Sequence, residues 1–236
     1  MDTVRKFGKD ASFLWRFARN GDFSTLAKIA KSQVWSDIDA IGSSFDMTQP
    51  YEPVASLFPM KLRPARDEDL ELLLATNVPG LDPDDREERL VRQHMRTLGF
   101  LHCVVVVNEE DQPCFLQWLI LSSENAVLAE AYHGLYPPLK PHQALVEGAY
   151  IPPAFRGKKV MPAAKRIVCE YARDFGVTEV ITFVRSTNIA SLKGCQRAGF
   201  VPVMTRVSSH RFGRSSLTFK PLAPGTPYPF ETSSRS

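Results

Sequence analysis

No two cysteines of this chain stand at C-x-x-C spacing. Cys103, Cys114, Cys169 and Cys195 belong to no Cys/His cluster, which argues against a zinc site or a dithiol redox centre. Cys103 and Cys114 fall in apolar, strand-like runs, where a thiol is ordinarily a small buried hydrophobe. A reducing, cytoplasmic setting is therefore expected. No apolar run has the length of a membrane-spanning helix, and Arg5, Lys6 and Lys9 precede no stretch suited to a signal peptide. The formal net charge is only +3 and no dense basic face is visible, so nucleic acid is not an expected partner. Gly-Lys-Ser/Thr, the mark of a phosphate loop for a metal-bound nucleotide, is missing, which argues against ATP. There is no internal repeat.

What is present is an ordinary globular composition. The chain has 236 residues, 44% apolar and 23% charged, enough for a core that needs no metal or disulfide staple. Residues 1–57 read as a helical extension and linker. Phe13, Leu14 and Phe17, then Leu26, Ile29 and Ala30, recur at helical spacing on either side of Asn20-Gly21. Its early bases outnumber its acids, so a packed helical arm and a weak membrane-surface contact are both open readings. Residues 42–53, with Gly, Ser, Pro and acids, look like a linker.

A main domain is expected over residues 58–222. A short strand at 59–64 precedes a helix at 66–75. A second helix opens at Asp82-Pro83, a capping residue followed by a first-turn proline, and stops at Gly99. Strands are expected at 100–107, 113–121, 126–132, 144–151 and 177–184. A long amphipathic helix over 158–175 shows one apolar face made of Met161, Ala164, Ile167, Val168, Tyr171, Ala172 and Phe175. A short helix at 188–198 and a hairpin of 200–208 with 215–221 complete it. Residues 223–236, rich in Pro, Ser and Thr, are expected to be disordered. The order predicts a mixed α/β (α+β) fold with one central βαβ crossover over 144–184.

The segment 147–168 carries the chemistry. A strand containing Glu147, Ala149, Tyr150 and Ile151 runs through Pro152-Pro153 into Arg156-Gly157-Lys158-Lys159-Val160-Met161 at the mouth of the long helix. The first N–H groups of a helix lack intrahelical partners and carry the positive end of its dipole, so a diphosphate can accept several of them at once. Gly157 permits close approach of the backbone, and Arg156, Lys158 and Lys159 add positive charge. About thirty residues on comes Asn188-Ile189-Ala190-Ser191-Leu192-Lys193-Gly194-Cys195-Gln196-Arg197-Ala198-Gly199-Phe200.

With these two blocks the chain resembles the GNAT superfamily of acyl-CoA-dependent N-acyltransferases, over roughly residues 60–222. Lys61-Leu62-Arg63-Pro64-Ala65 and Glu68-Asp69-Leu70 fit the same resemblance. Two positions depart from it. Lys159 and Met161 stand where glycine or alanine is usual, and Cys195 stands where many relatives carry a tyrosine that protonates the leaving thiolate. The resemblance implies three layers around a mostly antiparallel sheet, splayed at the crossover. It implies acetyl-CoA or another acyl-CoA as co-substrate and no metal. Its pyrophosphate would lie on residues 156–161, its pantetheine arm along Ala149, Tyr150 and Ile151, with Asn188 on an amide of that arm.

A protonated amine cannot attack a thioester, so a base must take its proton. Glu147 is the leading candidate, since simple alternation puts it on the face of Ala149 and Ile151 and an apolar strand raises a carboxylate's pKa. Glu130, His133 and His142 are alternatives. Cys195 is the candidate acid, and also a small apolar residue on a packed helix face. A backbone N–H of the splayed strand would serve the oxyanion. Trp118 and Tyr132 are candidates to line the acceptor site. The expected acceptor is a small amine such as an amino sugar or amino acid. A carrier-protein donor, as in N-acyl amino acid or homoserine lactone synthases, and a non-catalytic acyl-CoA-binding module are competing readings. A homodimer is compatible with all of them.

Overall fold

The computed structural model describes residues 11–21, 23–212 and 214–232. The bases Arg5, Lys6 and Lys9 and residues 233–236 of the expected tail lie outside them. Two short helices come first, α1 (Ala11–Arg19) and α2 (Phe23–Val34), followed by β1 (Trp35–Asp46) and β2 (Lys61–Pro64). Then come α3 (Asp67–Leu74), α4 (Pro83–Met95), β3 (His102–Val107), β4 (Pro113–Leu121) and α5 (Asn125–Tyr132). The second half runs β5 (Gln143–Tyr150), α6 (Val160–Ala172), β6 (Glu179–Arg185), α7 (Ile189–Arg197), β7 (Val201–Arg211), β8 (Arg214–Pro221) and α8 (Pro229–Thr232).

All eight strands form one sheet, in the order β2-β3-β4-β5-β6-β1-β7-β8. Every neighbouring pair is antiparallel except β5 and β6, joined through α6. The mixed, mostly antiparallel fold is as expected. One face buries Leu145, Trp118, Ile120 and Phe183 against Phe13 and Phe17 of α1, Leu73 and Leu74 of α3, Leu90 and Met95 of α4 and Tyr132 of α5. The other buries Val104, Phe115, Leu119, Val146 and Val180 against Val160, Ala164, Val168 and Ala172 of α6 and Cys195 of α7. The α4 cap is the expected one: Asp82 accepts from the N–H of Asp84 at 2.9 Å and of Asp85 at 3.2 Å.

Three expectations change. The N-terminal extension is not wholly helical, because β1 lies between β6 and β7 in the middle of the sheet. Gly42, read as a linker signal, is instead a strand residue where side chains cross. A Cβ there would stand 2.5 Å from Met204 Cγ and 2.7 Å from Phe183 Cε1. Residues 126–132 are helical rather than extended. Their alanines favour helix, Leu128 and Tyr132 share its buried face four residues apart, and His133 ends it in the left-handed region at φ 50°. The tail is partly ordered among the described residues. Tyr228 is buried, donates to the Phe200 carbonyl at 2.9 Å, and packs with Ile41 and Leu192.

Candidate active site

The parallel strands β5 and β6 stay paired only from Gln143↔Glu179 to Leu145↔Ile181. Beyond that point they separate, while β5 keeps its partner on the other side, with Glu147 opposite Trp118 and Tyr150 opposite Leu116. Three steps along β5 match two along β4, so β5 carries a bulge. Gly148 sits in it with φ +68°, a conformation that favours glycine. The bulge resets the alternation. Ala149 and Ile151 face the α6 layer with Val146, whereas Tyr150 faces the α4 layer with Leu145. Glu147, two residues after Leu145, shares the Leu145–Tyr150 face and hydrogen-bonds there to Tyr136. The expectation that Glu147 shares a face with Ala149 and Ile151 is thereby corrected.

A cavity of about 100 Å³ opens where the strands part, lined from both faces by Gln117, Glu147, Ala149, Lys165, Thr182 and Asn188 among others. Thr182 Oγ1 donates across its base to the Val146 carbonyl at 3.1 Å. Asn188 caps α7 by accepting from the Ser191 N–H at 3.1 Å and also lines the cavity. Met161 lines it too, its thioether lying over Gly194, where a Cβ would come within 2.6 Å of the sulfur. A glycine on α7 thus makes room for this methionine.

The turn into α6 presents its backbone. Gly157 has φ +77° and Lys159 φ +56°, and Lys159 provides no side-chain cap. Among the described residues, the N–H groups of Gly157, Lys158, Lys159, Val160 and Met161 donate to no carbonyl across this turn. Lys158 and Lys159 are exposed. Arg156, expected to add charge to this turn, faces elsewhere. Its guanidinium pairs with the buried carboxylate of Asp85 on α4, and its Nε donates to the Ile151 carbonyl at 3.0 Å. Against partial burial, the Asp85 hydrogen bond and charge hold Arg156 above its ordinary pKa.

Asp85 is a hub. It also pairs with Arg89 at 3.0 Å, and Tyr150 accepts from Arg89 Nε at 2.9 Å and donates to Asp85 at 3.2 Å. Burial first, then the Asp85 charge, pushes the Tyr150 hydroxyl up to about 12. Tyr150 therefore contributes only its main chain to the open edge of β5. Arg92 donates to the Gly148 carbonyl at 3.0 Å and also to that of Ala149, pinning the bulge from beneath.

Glu147 is 8% exposed. Tyr136, buried in the segment between α5 and β5, donates to its Oε2 at 2.5 Å. Burial and the nearby Glu147 charge raise the Tyr136 hydroxyl well above its ordinary value, so it remains a donor. Cys195 is fully buried in the α6-side core with Phe45, Cys169 and Phe200 and does not line the cavity. Glu130, His133 and His142 are exposed and do not line it either. Trp118 and Tyr132 are core residues. No group of three or more His, Cys, Asp or Glu among the described residues could hold a metal ion, and no helix there is long and apolar enough to cross a membrane.

Lys165, Thr182, Gln117, Tyr136 and Arg92 were missed by sequence reasoning. For two of them a signal existed. Lys165 is four residues from Met161 and three from Val168, on the apolar face of its helix, and Gln117 interrupts an otherwise apolar strand.

Residues 60–201 match the model of the acetyltransferase (GNAT) domain. No curated protein matches the chain. Similar solved structures include a GNAT-family acetyltransferase from Colwellia psychrerythraea, with 13% identity over 79% of this chain and 60% of that one, TM-score 0.48. A GCN5-related N-acetyltransferase from Sphaerobacter thermophilus shares 14% over 86% of this chain and 58% of that one, TM-score 0.42. Glucosamine-6-phosphate N-acetyltransferase from Arabidopsis thaliana shares 19% over 58% of this chain and 90% of that one, TM-score 0.34. The chain spans 60% of the length of the first of these. On the family match, over the segment that holds both the bulged strand and the open helix mouth, the chain belongs to the GNAT acetyltransferase family.

Proposed function

We propose that this chain transfers an acyl group from acyl-coenzyme A to the amine of a small molecule, such as an amino sugar or amino acid. The observation that carries the reading is the gap between β5 and β6, which has a buried carboxylate at its edge and an unsatisfied helix mouth at its open end. The pyrophosphate is assigned to the N–H groups of Gly157 through Met161, with Lys158 and Lys159 as exposed counter-charges. The pantetheine arm is assigned to the edge of Ala149, Tyr150 and Ile151 that no strand pairs on the side of the gap, with Asn188 on one of its amides.

Glu147 is the assigned base. It removes a proton from the bound ammonium, the freed amine nitrogen bonds to the thioester carbonyl carbon, the nitrogen gives up its second proton to solvent, and the carbon–sulfur bond breaks to release the thiolate. Tyr136 orients the carboxylate. Cys195 is buried away from the gap and takes no part, and solvent protonates the thiolate. Donor and amine approach from opposite faces of the sheet, the donor from the α6 side and the amine from the side of Tyr136.

The test is thiol release from acetyl-CoA over a panel of amines, with Glu147→Gln beside the wild type. Loss of a general base costs about 10²–10⁴-fold in turnover, with coenzyme binding by calorimetry unchanged. Equal turnover in the variant at neutral pH would remove Glu147 from the mechanism. No thiol release with any amine would favour a binding module instead.

A further inference from the structure

We propose that the acyl group this chain transfers ends in a carboxylate, which Lys165 and Gln117 hold on the α6 side of the gap. The inference deepens the acyltransferase reading and rests on it.

Lys165 projects from α6 into the sheet and is 2% exposed. Its Nζ donates to Thr182 Oγ1 at 3.3 Å and lies 4.9 Å from the centre of the Phe200 ring. Among the described residues no carboxylate pairs with it. A buried cation without a counter-ion is costly, and neither a hydroxyl nor a ring face neutralises it. Gln117, on β4, is 1% exposed, and neither its amide nitrogen nor its amide oxygen has a hydrogen-bond partner. Buried amides are nearly always paired, so this one marks an absent partner. Both side chains line the gap, together with Thr182.

Their position fits the acyl end of a donor. The strands part just beyond Leu145 and Ile181, and Thr182 bridges to Val146 one residue further on. The helix mouth at Gly157 lies at the opposite, open end of β5. A thioester entering from that mouth leads with its acyl chain toward Thr182, Gln117 and Lys165. A methyl or hydrocarbon terminus leaves the ammonium and the amide unanswered. A terminal hydroxyl or amide answers the amide but leaves the charge. A carboxylate accepts from both the ammonium and the amide N–H. Glu147 reaches the same gap from the other face, where it serves the amine. In the transfer itself the distal carboxylate forms and breaks no bond. The new amide forms at the thioester carbon, and coenzyme A leaves as the thiolate.

Calorimetry on the full chain with coenzyme A, acetyl-CoA, butyryl-CoA and succinyl-CoA tests this. Butyryl and succinyl chains have the same length and differ in a terminal methyl against a carboxylate. Succinyl-CoA is expected to bind about tenfold or more tighter than butyryl-CoA, the worth of a charge-assisted hydrogen bond. Lys165→Met should abolish or invert that ratio, and Gln117→Met should reduce it, both without weakening free coenzyme A. Because the readout is a ratio within one variant, altered stability does not imitate it. A wild type that binds butyryl-CoA as well as succinyl-CoA overturns the inference, as does an unchanged ratio in Lys165→Met, and the acyltransferase reading survives both. Failure of every coenzyme form to bind overturns both.

Discussion

Substituting Gly148 by alanine tests the bulge that orients the site. Two costs add. Gly148 has φ +68°, and an L-residue with a Cβ in the left-handed region costs roughly 1–2 kcal/mol. The new Cβ would also stand 2.7 Å from Met95 Cε, 2.8 Å from Met95 Sδ and 2.8 Å from Trp118 Cε3. The methionine end can swing aside. Trp118 is 1% exposed and wedged among core residues, so the ring or the strand must move, and overpacking of this kind costs about 1–3 kcal/mol. The sum is about 2–5 kcal/mol, or roughly 5–15 °C in melting temperature for a domain of this size. Gly157→Ala is the matched control. It has φ +77° but nothing within 4 Å of a new Cβ, so only the backbone cost of about 1–2 kcal/mol applies. Urea denaturation of both variants measures the difference. Gly157→Ala should instead weaken binding of coenzyme A, because the methyl group stands at the assigned phosphate site. Equal destabilisation by the two substitutions would refute the claim that Trp118 and Met95 close tightly on the bulge.

Asp85→Asn should destabilise by about 3–5 kcal/mol, because it leaves Arg89 and Arg156 without their carboxylate, whereas Asp111→Asn, at an exposed carboxylate paired with Arg63 and Arg66, should leave stability nearly unchanged; thermal melts of the pair compare them. Cys195→Ala should leave turnover within roughly a factor of two, and a large loss of kcat at unchanged coenzyme affinity would return this thiol to the mechanism. Burial pushes the thiols of Cys103 and Cys169 up to about 12 from an ordinary 9.0. A raised acid stabilises the fold below its unfolded value and loses that contribution as pH rises through the folded one, so stability should fall between pH 9 and 12. Urea midpoints at pH 8 and pH 10.5 should separate for the wild type and less so for Cys169→Ala, and parallel behaviour of the two proteins would contradict it.

The residues that were legible in the sequence owe that to local physics. Asp82-Pro83 announces a helix start because a short carboxylate caps free N–H groups and proline lacks one. The Arg156–Met161 turn announces a helix start because a glycine lets the chain turn sharply into the helix and no side chain caps its first amides. The period-two and period-3.6 patterns located most elements within a few residues. Tertiary structure decided the rest. The pairing of β1 with β6 and β7 is a long-range choice, and Gly42 reads as a breaker until Phe183 and Met204 are seen to need its space. The helix at Asn125–Tyr132 is a short apolar run, where both periods fit and packing of Leu128 and Tyr132 chooses. One extra residue in β5 reverses the faces after Glu147, and no pattern within the strand shows it, because register belongs to the pair with β4. Arg156 turns to Asp85, 71 residues earlier in the chain, since a buried carboxylate draws the nearest guanidinium more strongly than open solvent does. The sequence by itself determined the family to which the chain belongs; only the folded sheet decided which side chains meet in the gap, because a gap is made by strands that stop pairing, and pairing is not a property of any one segment.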